Sequence, residues 1–513
     1  MARGEFDAQV EGATTGLELS SARGRWVLLA TVLGSGMAQL DGTVVNVALP
    51  RIGDDLSVGL SSLQWVITAY TLTLAAFLLL GGGLGDRYGR RKVFMFGVTW
   101  FAVASALCAV APNAGFLIAA RALQGVGGAL LTPGSLAILQ TSFHPDDRGR
   151  VIGAWSGLTG VASALGPFVG GWLLNVSSWR WIFVLNLPLA VGVLAVSSRH
   201  VPESRDPAAD GRPDWTGGIM AALALAALTY GLIEGPAQHW KPAAVVALIA
   251  AVALLAGFIV LESRLQHPML PLALFRSRQF DAANAVTFAM YGALSAFLFL
   301  VPVQLQTVGG YSPLASGISL LPLTVLMLLL SARSGALAAR IGPRLQMSVG
   351  PLLIAAGMLL LTRVGSHANY LTEVLPAAFV VGMGLSTAVA PLTAAALSTV
   401  PPENAGIASG VNNDVARTAG LLAVAVLPAL AGIRGDDYRN ASSFNHGFDR
   451  AAVICAGLAL AAGLLAALTI RNPPRRAPLL LEAQAARPSC AGTDGAPLIA
   501  SCPPAAVQAV ARE

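Results

Sequence analysis

A chain of 513 residues that is 55% apolar and 11% charged, with a mean hydropathy of +0.68, lacks the polar surface a soluble globular protein needs. Its formal net charge of +6 would suit a nucleic-acid partner, but the bases recur on alternate loops rather than gathering in a patch, so no nucleic acid is expected. The four cysteines, Cys108, Cys455, Cys490 and Cys502, form neither a disulfide framework nor a metal-ligand spacing.

Fourteen apolar stretches of roughly 19 to 28 residues follow one another, each near the roughly 20 residues that cross a bilayer core. They lie at approximately 26–49, 62–84, 93–111, 114–138, 151–174, 180–198, 215–234, 242–262, 281–303, 314–333, 345–363, 373–395, 406–431 and 449–470. No strand alternation with aromatic girdles is present, so an all-α integral membrane fold is expected. With residues 1–25 placed as a cytoplasmic arm, 23 of the 32 Lys and Arg fall on the inner side, and both termini are then cytoplasmic. That arm carries Glu5, Asp7, Glu11 and Glu18 and no apolar core, unlike a signal peptide.

Span 1 contains Leu40–Pro50, LDGTVVNVALP. Asp41 lies about 15 residues into it, roughly 22 Å from the cytoplasmic end. An ionised Asp at a helix centre costs about 2.5–3.5 kcal/mol on the translocon scale, so such residues usually line a cavity. Asp41 is a candidate for proton or substrate coupling; a permanently paired structural acid is the other reading. Trp65 and Tyr70 in span 2 are candidate substrate contacts, although such residues near span ends also anchor the interface. The loop Gly82–Lys92, GGLGDRYGRRK, joins the turning freedom of Gly82 and Gly89 to one acid and four bases, among them Arg87 and Arg90. The bases serve topology. Asp86 at a helix end is suited to accept hydrogen bonds from another helix's N-terminal amides, a latch that breaks and reforms as two halves rock.

Arg121 lies about 8 residues into span 4, roughly 12 Å from the outer face and at a depth comparable to Asp41. The two meet if spans 1 and 4 are neighbours, so that proton and substrate compete for Asp41; a plain salt bridge ordering the bundle is the alternative. Gln124 is a candidate pocket residue. Span 5 carries Gly153, Ala162, Gly166, Pro167, Gly170 and Gly171. Pro167 lacks an amide proton and kinks the helix, and the small residues permit close packing.

Val201–Asp214 and Glu262–Arg278 are both rich in Pro and charge, and the spans between them, 215–234 and 242–262, read as an inserted pair. The organisation expected is a six-helix bundle at 26–198, a linker with the inserted pair at 199–279, a second six-helix bundle at 280–470 and a disordered cytoplasmic tail at 471–513. A weak repeat supports two halves: Gly82, Leu84, Asp86, Arg87, Gly89 and Arg91 align with Gly335, Leu337, Ala339, Arg340, Gly342 and Arg344. In span 13, Asp414 and Arg417 stand one turn apart and can neutralise each other, with Asp414 a second proton-site candidate. Asn412 and Asn413 are candidate substrate contacts.

Together these stretches resemble the major facilitator superfamily, and within it the 14-helix drug:proton antiporters. Gly82–Lys92 resembles the superfamily's loop between helices 2 and 3. Arg121, Gln124 and Gly125 resemble the helix-4 motif linked to proton transfer. Gly153 through Gly171 resembles the antiporter motif of helix 5, with Ala162 in place of an expected glycine. Leu40–Pro50 resembles the helix-1 motif of the 14-helix group. The resemblance covers about residues 25 to 470 and implies alternating access between two bundles. It also implies export of a small hydrophobic or amphipathic drug or antibiotic, driven by entering protons without ATP or another cofactor. Some multidrug members recognise cations through several acids; Asp41 is the only clear acid of the first half, so neutral, monocationic and amphipathic antibiotics stay open. The abundance of Ala, Gly and Arg suits a high-GC bacterium, hence a bacterial cytoplasmic membrane, where a monomer is expected.

Two competing functions remain. Pro202, Glu203, Ser204 and Arg205 resemble a sugar-porter signature, which would make the chain a nutrient symporter of the same fold. A non-transporting membrane sensor is the second. No His/Cys/carboxylate cluster or phosphate loop has the spacing an enzyme needs.

Overall fold

The computed structural model describes residues 16–206, 214–265, 268–366, 368–397, 400 and 405–472. The expected disordered tail from 473, with Cys490 and Cys502, and most of the N-terminal arm lie outside the described residues.

Among the described residues, fourteen helices are long and apolar enough to cross a membrane. In chain order they are α1 (Ala22–Leu56), α2 (Leu60–Tyr88), α3 (Arg90–Ala109), α4 (Ala114–Ser142), α5 (Pro145–Val176), α6 (Trp181–His200), α7 (Trp215–Ala237), α8 (Pro242–Arg264), α9 (Arg278–Thr307), α10 (Pro313–Ile341), α11 (Arg344–Arg363), α12 (Tyr370–Leu397), α13 (Ile407–Leu430) and α14 (Ala441–Thr469). Among the described residues there is no β-sheet, only a bridge between Leu17 and Phe143. Side chains such as Val191, Ile249, Val252 and Leu468 stay exposed on the outer faces, as lipid contact allows.

Several helices outrun the apolar stretches. Ser21 caps α1 by accepting from the Gly24 amide at 3.0 Å, and the helix continues through Pro50 to Leu56, ending where Ser57 turns left-handed at φ 51°. At 35 residues it is about 52 Å long. A proline inside a helix disrupts the carbonyls of the preceding turn. Gln306 of α9 meets one of them, donating Nε2 to the Val47 carbonyl at 3.0 Å.

In α1–α6 the main packing pairs α2 with α4, α3 with α4, and α1 with both α5 and α6. In α9–α14 it pairs α9 with α13 and α14, α12 with α10 and α11, and α11 with α14. The pair α7–α8 packs on itself, and α7 rests against α2 and α13.

The two sets of six are fused at one end. The core there is continuous, running from Val44, Ile52, Leu63 and Phe183 into Phe297, Leu300, Val424 and Phe448. At the other end α1–α6 keep a separate core around Val27, Phe94, Phe143 and Val201. Hydrogen bonds between the sets follow the same asymmetry. Gly435 accepts from the Leu60 amide at 2.9 Å, the Tyr438 hydroxyl donates to Val58 at 2.7 Å, Arg439 donates to Gly53 at 2.8 Å and Gln64 donates to Val424 at 2.6 Å. All belong to the end bearing the α1–α2 and α13–α14 turns. Burial pushes the Tyr438 phenol above its usual range.

Candidate functional site

Asp41 is fully buried where α1, α3, α4 and α6 converge, and both its carboxylate oxygens accept hydrogen bonds. Arg121 Nη1 of α4 donates to Oδ2; Gln124 Nε2 and Asn186 Nδ2 donate to Oδ1 at 2.9 and 3.0 Å. The same two amides also donate to Ser105 Oγ of α3, at 3.2 and 3.0 Å, and that hydroxyl donates onward to the Phe183 carbonyl at 2.9 Å. Arg121 is itself fixed three ways. Its Nε donates to the Val66 carbonyl at 3.1 Å, its Nη1 reaches Gln124 Oε1 at 2.7 Å, and its guanidinium lies 4.3 Å over the Tyr70 ring.

Such a network matters because removing one partner of a buried ion pair leaves a stranded charge, at about 3–5 kcal/mol. The structure brings Asp41, Arg121, Gln124 and Tyr70 together and adds Asn186 and Ser105, which the sequence reading missed. Each of those two is one polar residue in an apolar span, a signal too weak to single out.

Beside this cluster lies a cavity of about 400 Å³ between the two sets of helices, lined from α1, α2, α5, α9, α12 and α13. Gly42, Thr43, Tyr70, Asn412, Asn413 and Arg417 are among its walls. Tyr70 is the partition, facing the cavity while carrying Arg121 behind it; its hydroxyl donates to the Ala38 carbonyl at 3.1 Å. Asn412 donates to Asn284 and to Thr287, both at 2.9 Å, and Asn413 donates to Ser409 at 3.0 Å.

Three expectations need correction. Trp65 does not line the cavity: its indole donates to Glu234 of α7 at 3.0 Å, because position 65 faces away from the wall formed by Ile67, Thr68 and Thr71. Gln124 is not a pocket residue but a member of the Asp41 cluster. Asp414 and Arg417 form no ion pair among the described residues: Asp414 Oδ1 and Arg417 Nε are both buried without a hydrogen-bond partner, since Arg417 turns into the cavity and Asp414 stays on the helix flank. Asp86 pairs in this structure with Arg90 of its own loop at 2.7 Å.

The loop is instead gripped from α6. Gly89 has φ 112°, and a side chain there would meet the Glu203 carboxylate, which accepts from the Arg91 amide at 3.1 Å. The repeat does likewise: Gly342 has φ 88°, and Asn472 accepts from the Arg344 amide at 3.1 Å. Glu203 and Asn472 each stand three residues past the last helix of their half, after His200 and Thr469. Gly82 packs near Pro133, and Arg87 lies within 5.6 Å of the Tyr88 ring.

The proline of α5 has a defined partner. Pro167 leaves the Ser163 carbonyl without its helical amide, and Thr43 Oγ1 of α1 is placed to donate to it at 3.0 Å, in competition with the Leu40 and Gln39 carbonyls of its own helix. Gly166 and Gly170 bring α5 against Thr43 and Val44, and Gly171 brings it against Pro313 and Leu314 of α10. Gly153 faces open space and takes no part in this contact.

Comparison with known proteins places this architecture. Residues 31–425 match the family model described as Major Facilitator Superfamily. The chain is 36% identical to the tetracenomycin C resistance and export protein of Streptomyces glaucescens, over 82% of this chain and 78% of that one. It is 37% identical to the puromycin resistance protein of Streptomyces alboniger (78% and 80% covered) and 34% identical to the methylenomycin A resistance protein of Streptomyces coelicolor (88% and 93% covered). Among solved structures it matches an auto-inhibited peptide transporter of the POT family at TM-score 0.64 and 16% identity, covering 88% of this chain and 98% of that one. A D-xylose–proton symporter matches at TM-score 0.61 and 15% identity, covering 87% and 98%; at such identities the likeness concerns the fold. The chain belongs to the major facilitator superfamily and, within it, to the 14-helix drug- and antibiotic-resistance transporters.

Proposed function

We propose that this transporter is a proton-coupled antiporter that exports an amphipathic antibiotic from the cytoplasm by alternating access, with Asp41 as its proton site. The observation that carries the reading is the Asp41–Arg121 pair, sealed from the central cavity by one aromatic ring, Tyr70. Substrate seated against Tyr70 holds Arg121 on the carboxylate and so favours the deprotonated cluster, which makes substrate and proton exclude each other. Proton binding to Asp41 weakens its grip on Arg121, and the cluster resets. Export, rather than sugar uptake, is supported by relatives named for resistance and export.

The fused end is then the periplasmic or outer face, and the structure is an inward-facing state with both termini in the cytoplasm of a bacterial cell. Helices α1–α6 and α9–α14 are the rocking bundles, with α7–α8 inserted between them. The loops held by Glu203 and Asn472 lie on the cytoplasmic side, where Asp86, released from Arg90, is free to latch in the opposite state. The driving force is the proton gradient alone: each charge crossing 100 mV contributes about 2.3 kcal/mol. A monomer suffices, because the cavity is complete within one chain.

The test is transport of an antibiotic panel into inside-out vesicles with an imposed proton gradient. The wild-type protein accumulates substrate and Asp41→Asn at equal abundance does not. Undiminished gradient-driven transport by Asp41→Asn refutes the mechanism.

A further inference from the structure

The charges around the central cavity are lopsided. Among the described lining residues, Arg417 of α13 alone carries a full charge; the other polar groups are amides, hydroxyls and the phenols of Tyr70 and Tyr291. Its Nε is a buried atom without a hydrogen-bond partner, and among the described residues it makes no ion pair. The nearby acids answer it only in part, Asp414 through space and without an ion pair among the described residues. Asp41 is consumed by Arg121, Gln124 and Asn186 behind Tyr70. Asp414, one turn before Arg417, lies outside the cavity wall and leaves its own Oδ1 unpartnered.

An arginine held in a membrane cavity without a salt-bridge partner is costly, and its planar fork of donors matches a carboxylate or an acidic enol. A ligand that brings the anion supplies what the protein withholds. A cationic ligand meets repulsion and finds no acid on the wall. Tyr70, Tyr291 and Phe299 offer flat apolar surface on the same cavity wall, in a volume suited to a molecule of about three or four fused rings.

We propose that Arg417 is the specificity-determining residue of the cavity and that the exported substrate is a flat, amphipathic aromatic anion. This rests on the export reading above and narrows it against the monocations that the sequence left open. The choice has an energetic consequence. Exchanging one anion outward for one proton inward moves two charges in the direction the inside-negative potential favours. Each charge across 100 mV is worth about 50-fold in accumulation, and a monocation exchanged for one proton would gain nothing from the potential.

The test uses three fluorescent probes of one size: 9-anthracenecarboxylate, its neutral methyl ester, and 9-anthracenemethylammonium. Binding to the purified full-length protein in detergent should favour the carboxylate at least tenfold over the other two. Arg417→Gln should reduce that preference to within about twofold, Arg417→Lys should restore most of it, and Asp414→Asn should leave it intact or raise it. These ratios separate recognition from folding, since a merely destabilised protein loses all three probes together. A preference for the ammonium probe, binding of none of the three, or an anion preference that survives Arg417→Gln overturns the proposal. In proteoliposomes a potassium diffusion potential without a pH gradient should drive the carboxylate and not the ammonium probe. Anion-selective binding without any proton-driven transport would refute export and leave the role of Arg417 standing; proton-driven transport without anion selectivity would do the reverse.

Discussion

Asp41→Asn and Arg121→Gln, singly and together, separate what the buried pair does for stability from what it does for coupling. Asp41→Asn leaves the Arg121 guanidinium, 1% exposed, with carbonyls, Gln124 and an aromatic face but no opposite charge. Arg121→Gln leaves a carboxylate with two amide donors, Gln124 and Asn186. Removing one member of a buried pair costs about 3–5 kcal/mol, most of it the stranded charge. The double variant strands none, and its polar ends still find the amides and Ser105. Its loss should be about 1–2 kcal/mol, so the coupling energy of the cycle is about 4 kcal/mol or more in favour of the pair. Reversible denaturation in mixed micelles, followed by tryptophan fluorescence, measures all four proteins. All three variants should lose proton-driven transport, the double variant despite its recovered stability. Costs that add to within about 0.5 kcal/mol would mean the two side chains do not depend on each other, and the cluster described above would be wrong.

Two further substitutions probe the parts that move. Thr43→Val removes the hydroxyl serving the Ser163 carbonyl and should cost about 1–3 kcal/mol, whereas in a Pro167→Ala background, where the helical amide returns, the same change should cost under about 0.5 kcal/mol; equal costs in both backgrounds would disprove the compensation. Tyr438→Phe deletes the bond to Val58 that ties the fused end, worth about 0.5–1.5 kcal/mol, and should raise the population of the oppositely open state about two- to tenfold. Distances between spin labels on the α1–α2 and α13–α14 turns report that shift, and an unchanged distribution would remove the tie from the account.

Much of the architecture was legible because a bilayer leaves few choices. The fourteen apolar stretches correspond to the fourteen helices, and errors gather at helix ends, where α1 carries Pro50 and Asp54 past any hydropathy boundary because Gln306 and the α13–α14 turn receive it. The meeting of Asp41 and Arg121 was readable from their matched depths, since charges that deep must find each other or water. The rest depended on facts that spacing does not encode. Arg417 and Asp414 had the separation of a pair, yet a neighbouring cavity drew one away. Trp65 had the composition of a pocket residue but the wrong helical face. Glu203 grips a loop 112 residues away in sequence, and Asn472 one 128 away; only the repeat of Gly89 in Gly342 hinted that two such grips exist.

The central claim concerns one proton on one carboxylate. It is tested most directly by adding a transported antibiotic to purified protein in weakly buffered solution and following proton release with a pH-indicator dye. The account predicts release of about one proton per wild-type molecule, and none from Asp41→Asn at matched occupancy of the cavity. Equal release from both proteins would contradict it.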